Sequence, residues 1–181
     1  MMKKIVAMML SLALLLGCAA GFAETDEKTE LGTLNVNGEF RLQGKIPEGY
    51  HMSILNQNNM FIRSQLVPED GAKPSVELII AFSDDWADTE KLNDVTDEDL
   101  AEIEDTFRIE DEVNIEYRET GMGSKLMVVT EAVEQTDFVV IYTIYKGYEL
   151  EFKMTPGTEP LNEEHIQMLI DFMTEMDFVE V

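Results

Sequence analysis

The chain has 181 residues and a formal net charge of −24, from 37 acidic and 13 basic side chains. A surface this acidic repels nucleic acid and anionic lipid headgroups, so the charge argues against both as partners and favours cations or a basic protein. The length allows one ordinary domain once a targeting peptide is removed. Cys18 is the only cysteine, which excludes an intrachain disulfide framework and a multi-cysteine metal site.

The N-terminus has the pattern of a bacterial signal peptide. Lys3 and Lys4 precede an apolar segment and then small residues that end at Ala23. This order predicts a cleaved signal peptide over residues 1–23 and a secreted protein without a transmembrane segment after processing. As an alternative, the sequence Leu-Leu-Gly-Cys that ends at Cys18 fits a lipobox. Lipidation at Cys18 would make the protein a cell-surface lipoprotein instead.

Residues 24–33 are charged and featureless, so we predict a flexible linker there and a single globular domain over residues 34–181. Four stretches follow in which apolar and polar residues alternate, or which are apolar throughout, and the first three end in a turn rich in proline, glycine or asparagine. These predicted strands cover residues 40–46, 50–54, 60–67 and 76–82. The last is apolar on both sides, which is typical of an inner strand of a sheet.

An acidic segment, residues 84–119, holds 16 acids against three basic residues. Within it, Thr96 is a predicted N-cap, and acids follow it where the positive end of a helix dipole favours them. Apolar residues then recur at helical spacing, which predicts a helix over residues 97–107 with one buried stripe. The stripe consists of Leu100, Ile103 and Phe107. A period of two returns at residues 113–117 and predicts another strand.

Residues 125–154 are predicted to form a meander of three antiparallel strands. Lys146 and Gly147 separate two strand-like runs, and a two-residue turn of this kind fixes the register of the hairpin. The predicted pairs are Tyr145 with Tyr148, Thr143 with Leu150, Ile141 with Phe152, and Val139 with Met154. Seven of these eight side chains are apolar, so this face of the sheet is predicted to be the core.

The opposite face of the meander is apolar on one strand and charged on the next. Phe138, Val140 and Tyr142 project from the middle strand, beside Glu149, Glu151 and Lys153 of its neighbour. This mismatch predicts that the second face is covered only in part. We therefore expect a binding surface at Phe138, Val140 and Tyr142.

A terminal helix is predicted over residues 162–176, with Asn162 as its N-cap. Its apolar stripe is expected to cover the core face of the meander. The stripe consists of Ile166, Leu169, Ile170, Met173 and Met176. The predicted fold is therefore α+β, a mostly antiparallel sheet of about six to eight strands with two main helices in an α/β/α-type sandwich.

Few residues suggest a defined chemistry. The two histidines, His51 and His165, have no ligand spacing around them, and the sequence contains no nucleophile elbow, zinc-protease or β-lactamase motif. We predict neither catalytic residues, nor a metal, nor a cofactor. Trp86, the only tryptophan, has two interpretations: an exposed anchor for a partner or a sugar, or a side chain that closes one end of the core.

Two short acidic clusters suggest calcium. The clusters are Asp84, Asp85 and Asp88, and Asp94, Asp97 and Asp99. Calcium loops place a glycine among their ligands to bend the backbone. No glycine lies between Gly71 and Gly121, so weak cation association is expected rather than a formed site.

Three segments resemble the PsbP/Mog1-like domains. They are the strand and Pro-x-Gly-aromatic turn of residues 40–50, the Tyr-Lys-Gly-Tyr hairpin of residues 145–148, and the helix end of residues 172–178. The resemblance covers about residues 36–181. It implies a noncatalytic binding or accessory role, as in most members of that family, and carries over no functional residue.

The expected function is therefore that of an exported noncatalytic binding or accessory module of bacterial type. Its partner would be a protein or a cell-surface component, bound through the partly uncovered sheet face or the acidic helix. A carboxylate-based hydrolase acting on a glycan, with Trp86 as a platform, is one alternative. A calcium-dependent adhesive domain is the other.

Overall fold

The computed structural model describes residues 28–34, 40–108, 113–119, 124–131 and 138–180. The predicted signal peptide and the alternative lipidation at Cys18 lie outside these ranges.

The described ranges contain two α-helices and ten strands. Helix α1 covers Asp97–Phe107 and helix α2 covers Glu163–Thr174. The strands are β1 (Thr29–Leu34), β2 (Phe40–Gly44), β3 (Tyr50–Gln57), β4 (Phe61–Pro68), β5 (Ser75–Phe82), β6 (Val113–Glu119), β7 (Lys125–Glu131), β8 (Val139–Tyr145), β9 (Tyr148–Thr155) and β10 (Asp177–Glu180).

The strands form two antiparallel sheets. Seven strands make the larger sheet in the order β3-β4-β5-β9-β8-β7-β6, and β1-β2-β10 make the smaller one. The predicted α+β class with a mostly antiparallel sheet and two main helices is confirmed. β5 lies between β4 and β9, as its two-sided apolar character predicted.

The β8–β9 hairpin has the predicted register. Tyr145 pairs with Tyr148 and Ile141 pairs with Phe152. Both turn residues have positive φ, 49° at Lys146 and 81° at Gly147, which matches the twist of the flanking strands. Residues 83–91 pass directly over this turn, because Gly147 N–H donates to Thr89 O at 3.0 Å and Lys146 N–H donates to Glu90 O at 2.9 Å.

Alanine at Gly147 is expected to lower the free energy of unfolding by about 1–3 kcal/mol. Its φ of +81° disfavours any side chain, and a Cβ there would lie 3.0 Å from Phe82 Cε2 and 3.3 Å from Ala87 Cα. Gly71→Ala is the matched control, since a Cβ at Gly71 would meet nothing within 4 Å. Urea unfolding of both variants checks this, and equal stability of the two would contradict the tight packing of the turn.

The small sheet and α2 cover the central part of the first face of the large sheet. Phe152 of β9 packs against Phe172 of α2 with ring centroids 5.9 Å apart, and Tyr145 packs against Phe178 of β10 at 4.4 Å. Leu31 and Leu42 of the small sheet join the same buried cluster. This cluster is the main core, on the face that the sequence predicted.

Both helices begin at the predicted caps. Thr96 Oγ1 accepts a hydrogen bond from Asp99 N–H at 3.2 Å, and Asn162 Oδ1 accepts one from His165 N–H at 3.1 Å. Each cap satisfies a backbone donor that the first helical turn leaves free. The acids that follow each cap lie at the positive end of the helix dipole, which stabilises both helix starts.

A second core lies on the opposite face, over β6, β7 and β8. Val140 and Tyr142 are each 5% exposed, and the ring of Phe107 in α1 lies 5.9 Å from that of Tyr142 at an interplanar angle of 65°. Ile103 and Trp86 complete the cover. The prediction of an uncovered surface at Val140 and Tyr142 is therefore wrong, because α1 and residues 83–96 bury these side chains.

The linker interpretation of residues 24–33 needs a correction in its second half. Residues 29–34 form β1, which pairs with β2. Leu31 and Leu34 of β1 are fully buried. Residues 177–180, for which no element was predicted, form β10 on the other side of β2. Burial of these two leucines and pairing with β2 outweigh the polar composition of the segment.

Candidate functional site

The second face of the large sheet divides into a covered half and an open half. Helix α1 and residues 83–96 lie over β6 to β8, as described above. On β4, β5 and β9 the side chains of that face are half-buried or exposed. We call this region the open face and define it by Phe61, Arg63, Glu77, Ile79, Glu149 and Glu151.

Strand pairing brings the residues of the open face together. Arg63 of β4 lies opposite Ile79 of β5, and Ile79 lies opposite Glu151 of β9. Ala81 lies between Phe61 and Glu149 in the next row. The alternation of each strand sends its other side chains, such as Leu78 and Phe152, into the main core.

Two acids of the open face are partly desolvated. Burial raises the pKa of the Glu149 carboxyl above the ordinary value, while hydrogen bonds from Trp86 and Ser83 oppose the shift. Burial also raises the pKa of Glu151, and the nearby charges of Glu149 and Glu77 add to the shift against the opposing effect of Lys153. A cationic group placed here would therefore relieve unfavourable electrostatics as well as make new contacts.

The positive charges of the open face have local partners. Arg63 Nε forms an ion pair with Glu77 Oε1. Lys153 Nζ lies 5.5 Å from the ring centroid of Phe138, within the range of a cation–π contact. The ion pair with Arg63 neutralises Glu77, whereas Glu149 and Glu151 form no ion pair among the described residues and are the acids that a basic partner would neutralise.

A link on the covered half positions helix α1. Tyr117 Oη of β6 donates to Glu104 Oε1 at 2.6 Å. That hydrogen bond, followed by one from Arg108, lowers the pKa of the Glu104 carboxyl. The link holds α1 over β6 to β8 and away from the open face.

Stability is expected to rise as the pH falls from about 7 to about 5. A carboxyl whose pKa is raised on folding, as at Glu149 and Glu151, stabilises the protein fully below the unfolded-state pKa, and this stabilisation is lost as the pH rises through the folded-state pKa. The lowered pKa of Glu104 acts in the opposite direction, in a lower window. Urea unfolding at both pH values checks this.

The double variant Glu149→Gln and Glu151→Gln isolates the two groups. Glutamine at position 149 still offers an oxygen to the Trp86 N–H, whose hydrogen bond to Glu149 Oε1 measures 2.8 Å. The variant should be more stable than the parent at about pH 7 and should gain less on acidification. An unchanged pH dependence in the variant would contradict the assignment of the gain to these carboxyls.

The structure brings the predicted binding residues together, but inside the second core instead of on a surface. Trp86 is 9% exposed with its indole N–H bound to Glu149, so it closes the end of the second core instead of forming a platform. Val140 and Tyr142 lie in the same core, and Phe138 is half-buried at its rim. We therefore do not place the candidate surface on Trp86, Val140 or Tyr142.

The residues of the open face were not predicted as a site. Alternation along residues 60–67 and 76–82 separates Phe61 and Ile79 from most of the other apolar side chains of their strands. That alternation was the available signal. Without the strand order, nothing in the sequence indicated that β9 neighbours β5.

The described ranges give little support to the two alternative functions, a carboxylate-based hydrolase and a calcium-dependent adhesive domain. No group of three or more histidine, cysteine, aspartate or glutamate side chains there converges to hold a metal ion. Glu149 and Glu151 project from the same side of one strand and do not face each other across a cleft, as a glycosidase pair would. No helix within those ranges is both long and apolar enough to cross a bilayer.

Comparison with known proteins does not assign the chain to a family. A scan of the sequence against protein-family models gives no match. A search of curated proteins likewise gives no relative. The geometry of the open face is therefore the main indication of function.

Proposed function

We propose that the chain is an exported, noncatalytic binding module of bacterial type whose open face engages a basic protein partner. The supporting observation is the uneven cover of the second sheet face. Within the described residues, α1 and residues 83–96 bury the half formed by β6 to β8, while the apolar and acidic side chains of β4, β5 and β9 on that face are only half-buried. A strand or loop with alternating cationic and apolar residues fits this pattern.

Two further features support the proposal. The PsbP/Mog1-like resemblance implies a binding or accessory role, and an antiparallel sheet between helical layers is compatible with it. The signal-peptide pattern of residues 1–23 supports export of the module from the cytoplasm. The net charge of −24 would accelerate association with any basic partner through long-range attraction.

The probe is a synthetic peptide of about ten residues in which lysine and leucine alternate. As an extended strand it has cationic side chains on one face and apolar side chains on the other. Glu149→Gln with Glu151→Gln should weaken its binding about tenfold, or about 1.4 kcal/mol. Titration calorimetry at low salt measures both the affinity and its loss.

The matched control removes the same charge from helix α1. Glu98 and Glu102 are exposed on α1, and Glu98→Gln with Glu102→Gln should change the affinity less than about twofold. Equal weakening by the two double variants would show that the peptide follows net charge alone. A larger loss in the α1 variant would move the site to the acidic helix and contradict the role of the open face.

A further inference from the structure

The hairpin of β3 and β4 differs in charge from the rest of the chain. Residues 52–62 contain no charged side chain. Residues 40–75 contain four basic and three acidic side chains, a net charge of +1 within a chain of net charge −24. This hairpin is therefore a neutral region on an otherwise strongly acidic protein.

The tip of the same hairpin exposes apolar side chains. Ile54, Leu55 and Met60 are 49%, 52% and 50% exposed, and every residue from 54 to 60 is exposed. The other exposed large apolar side chains in the described ranges, Tyr117 at 38% and Val179 at 40%, lie on β6 and β10. Soluble proteins seldom leave such a group together unless it contacts something.

β3 is also the last strand of the large sheet within the described ranges. The outer backbone groups of an edge strand are a template for another strand. Proteins usually protect such an edge with lysine, proline or a bulge. β3 has a register shift between Ile54 and Asn56, but residues 50–57 contain neither lysine nor proline.

The chemistry of the tip selects among possible occupants. Residues 56–59 are Asn-Gln-Asn-Asn, and burying four amide side chains in hydrocarbon is costly, which disfavours a lipid bilayer. A basic protein would be attracted to an acidic surface such as the open face and not to a neutral hairpin. A neutral, apolar edge with amide side chains fits another edge of the same composition.

We propose that two copies of the chain associate through β3, paired antiparallel about a twofold axis. Two copies of a strongly acidic chain repel each other least when they approach through their neutral regions, and the hairpin of β3 and β4 is such a region. Isologous pairing would satisfy the edge backbone of both copies. It would also join two seven-stranded sheets into one and bring the two open faces to the same side.

This association goes beyond the proposed function and has a different salt dependence. An interface limited to one edge strand is small, so we expect a dissociation constant between about 1 µM and about 100 µM. Raising the salt concentration should strengthen the dimer, because it screens the repulsion between the acidic bodies. Binding of a basic peptide to the open face should weaken with salt.

Sedimentation equilibrium of the purified full-length chain from about 1 µM to about 1 mM tests the proposal. The parent should pass from one chain to two over this range, and Leu55→Lys should remain a single chain. Val179→Lys is the matched control, since Val179 is 40% exposed on β10 and the substitution changes the net charge equally. This control should dimerise like the parent.

Hydrogen exchange of residues 50–57 provides a second readout that does not depend on mass. Their amides should exchange more slowly as the concentration of the parent rises, and should show no such change in Leu55→Lys. A parent that stays monomeric to about 1 mM, or a dimer that persists in Leu55→Lys, would overturn the proposal. A monomeric parent whose flotation with phosphatidylcholine vesicles is lost in Leu55→Lys would assign the hairpin to lipid instead.

Discussion

Trp86→Ala is expected to lower the free energy of unfolding by about 3–4 kcal/mol. The indole is 9% exposed and packs in the second core with Leu92 and Ile144, so its removal leaves a large cavity at the end of the sheet. Thermal or urea unfolding followed by circular dichroism measures the loss, because the variant has no tryptophan for fluorescence.

Trp86→Phe separates packing from hydrogen bonding. Phenylalanine keeps an aromatic ring in the core but removes the N–H that donates to Glu149 Oε1 at 2.8 Å, so the half-buried carboxylate loses a partner. We expect a loss of about 1–2 kcal/mol. If Trp86→Ala instead changed stability by less than about 0.5 kcal/mol, as a surface substitution does, the second core would be refuted.

Phe152→Ala should have an effect of similar or greater size, about 3–5 kcal/mol. Phe152 is fully buried on β9 and stacks against Phe172 of α2. Its loss would weaken the contact that holds the terminal helix on the sheet. Urea unfolding gives the free energy, and the slope with denaturant shows whether the transition remains two-state.

Phe61→Ala is the matched substitution on the other side of the same sheet. Phe61 is half-buried on β4 and belongs to the open face, so its loss should cost less than about 1.5 kcal/mol. A cost equal to that of Phe152→Ala would mean that the open face is as tightly packed as the main core. That result would contradict the division of the second face into two halves.

Much of the fold could be predicted because it follows from local patterns. The two-residue turn at Lys146 and Gly147 fixed the register of the β8–β9 hairpin, and the caps at Thr96 and Asn162 marked both helix starts. In each case, residues close in the sequence determine the geometry. The same patterns identified the face that became the main core.

Pairing between distant segments could not be predicted from these patterns. β10 pairs with β2, and Asp177 lies opposite Gln43. These residues are far apart in the sequence, and the alternation of apolar and polar residues within a strand does not show which distant strand it pairs with. β1 lies in a charged segment whose two buried leucines, Leu31 and Leu34, are too few to show a period of two.

The cover over Val140 and Tyr142 was missed for a related reason. The apolar residues that bury them, Trp86, Leu92 and Phe107, are separated by many acids in the sequence. The acidic composition of residues 84–119 indicated a solvated segment, and the helical period of α1 showed that one stripe is buried without showing against which face. The sequence therefore predicted that the second face of the sheet is only partly covered, but it placed the uncovered part on β8 instead of on β4, β5 and β9.

Hydroxyl-radical footprinting tests the central claim most directly, since it reports which side chains on one sheet face meet solvent. The account predicts slow modification of Trp86 and Tyr142 despite their intrinsically reactive rings, ready modification of Phe61, and protection of Phe61 when the lysine–leucine peptide is bound. Rapid modification of Trp86 and Tyr142 together with a protected Phe61 in the free protein would contradict it.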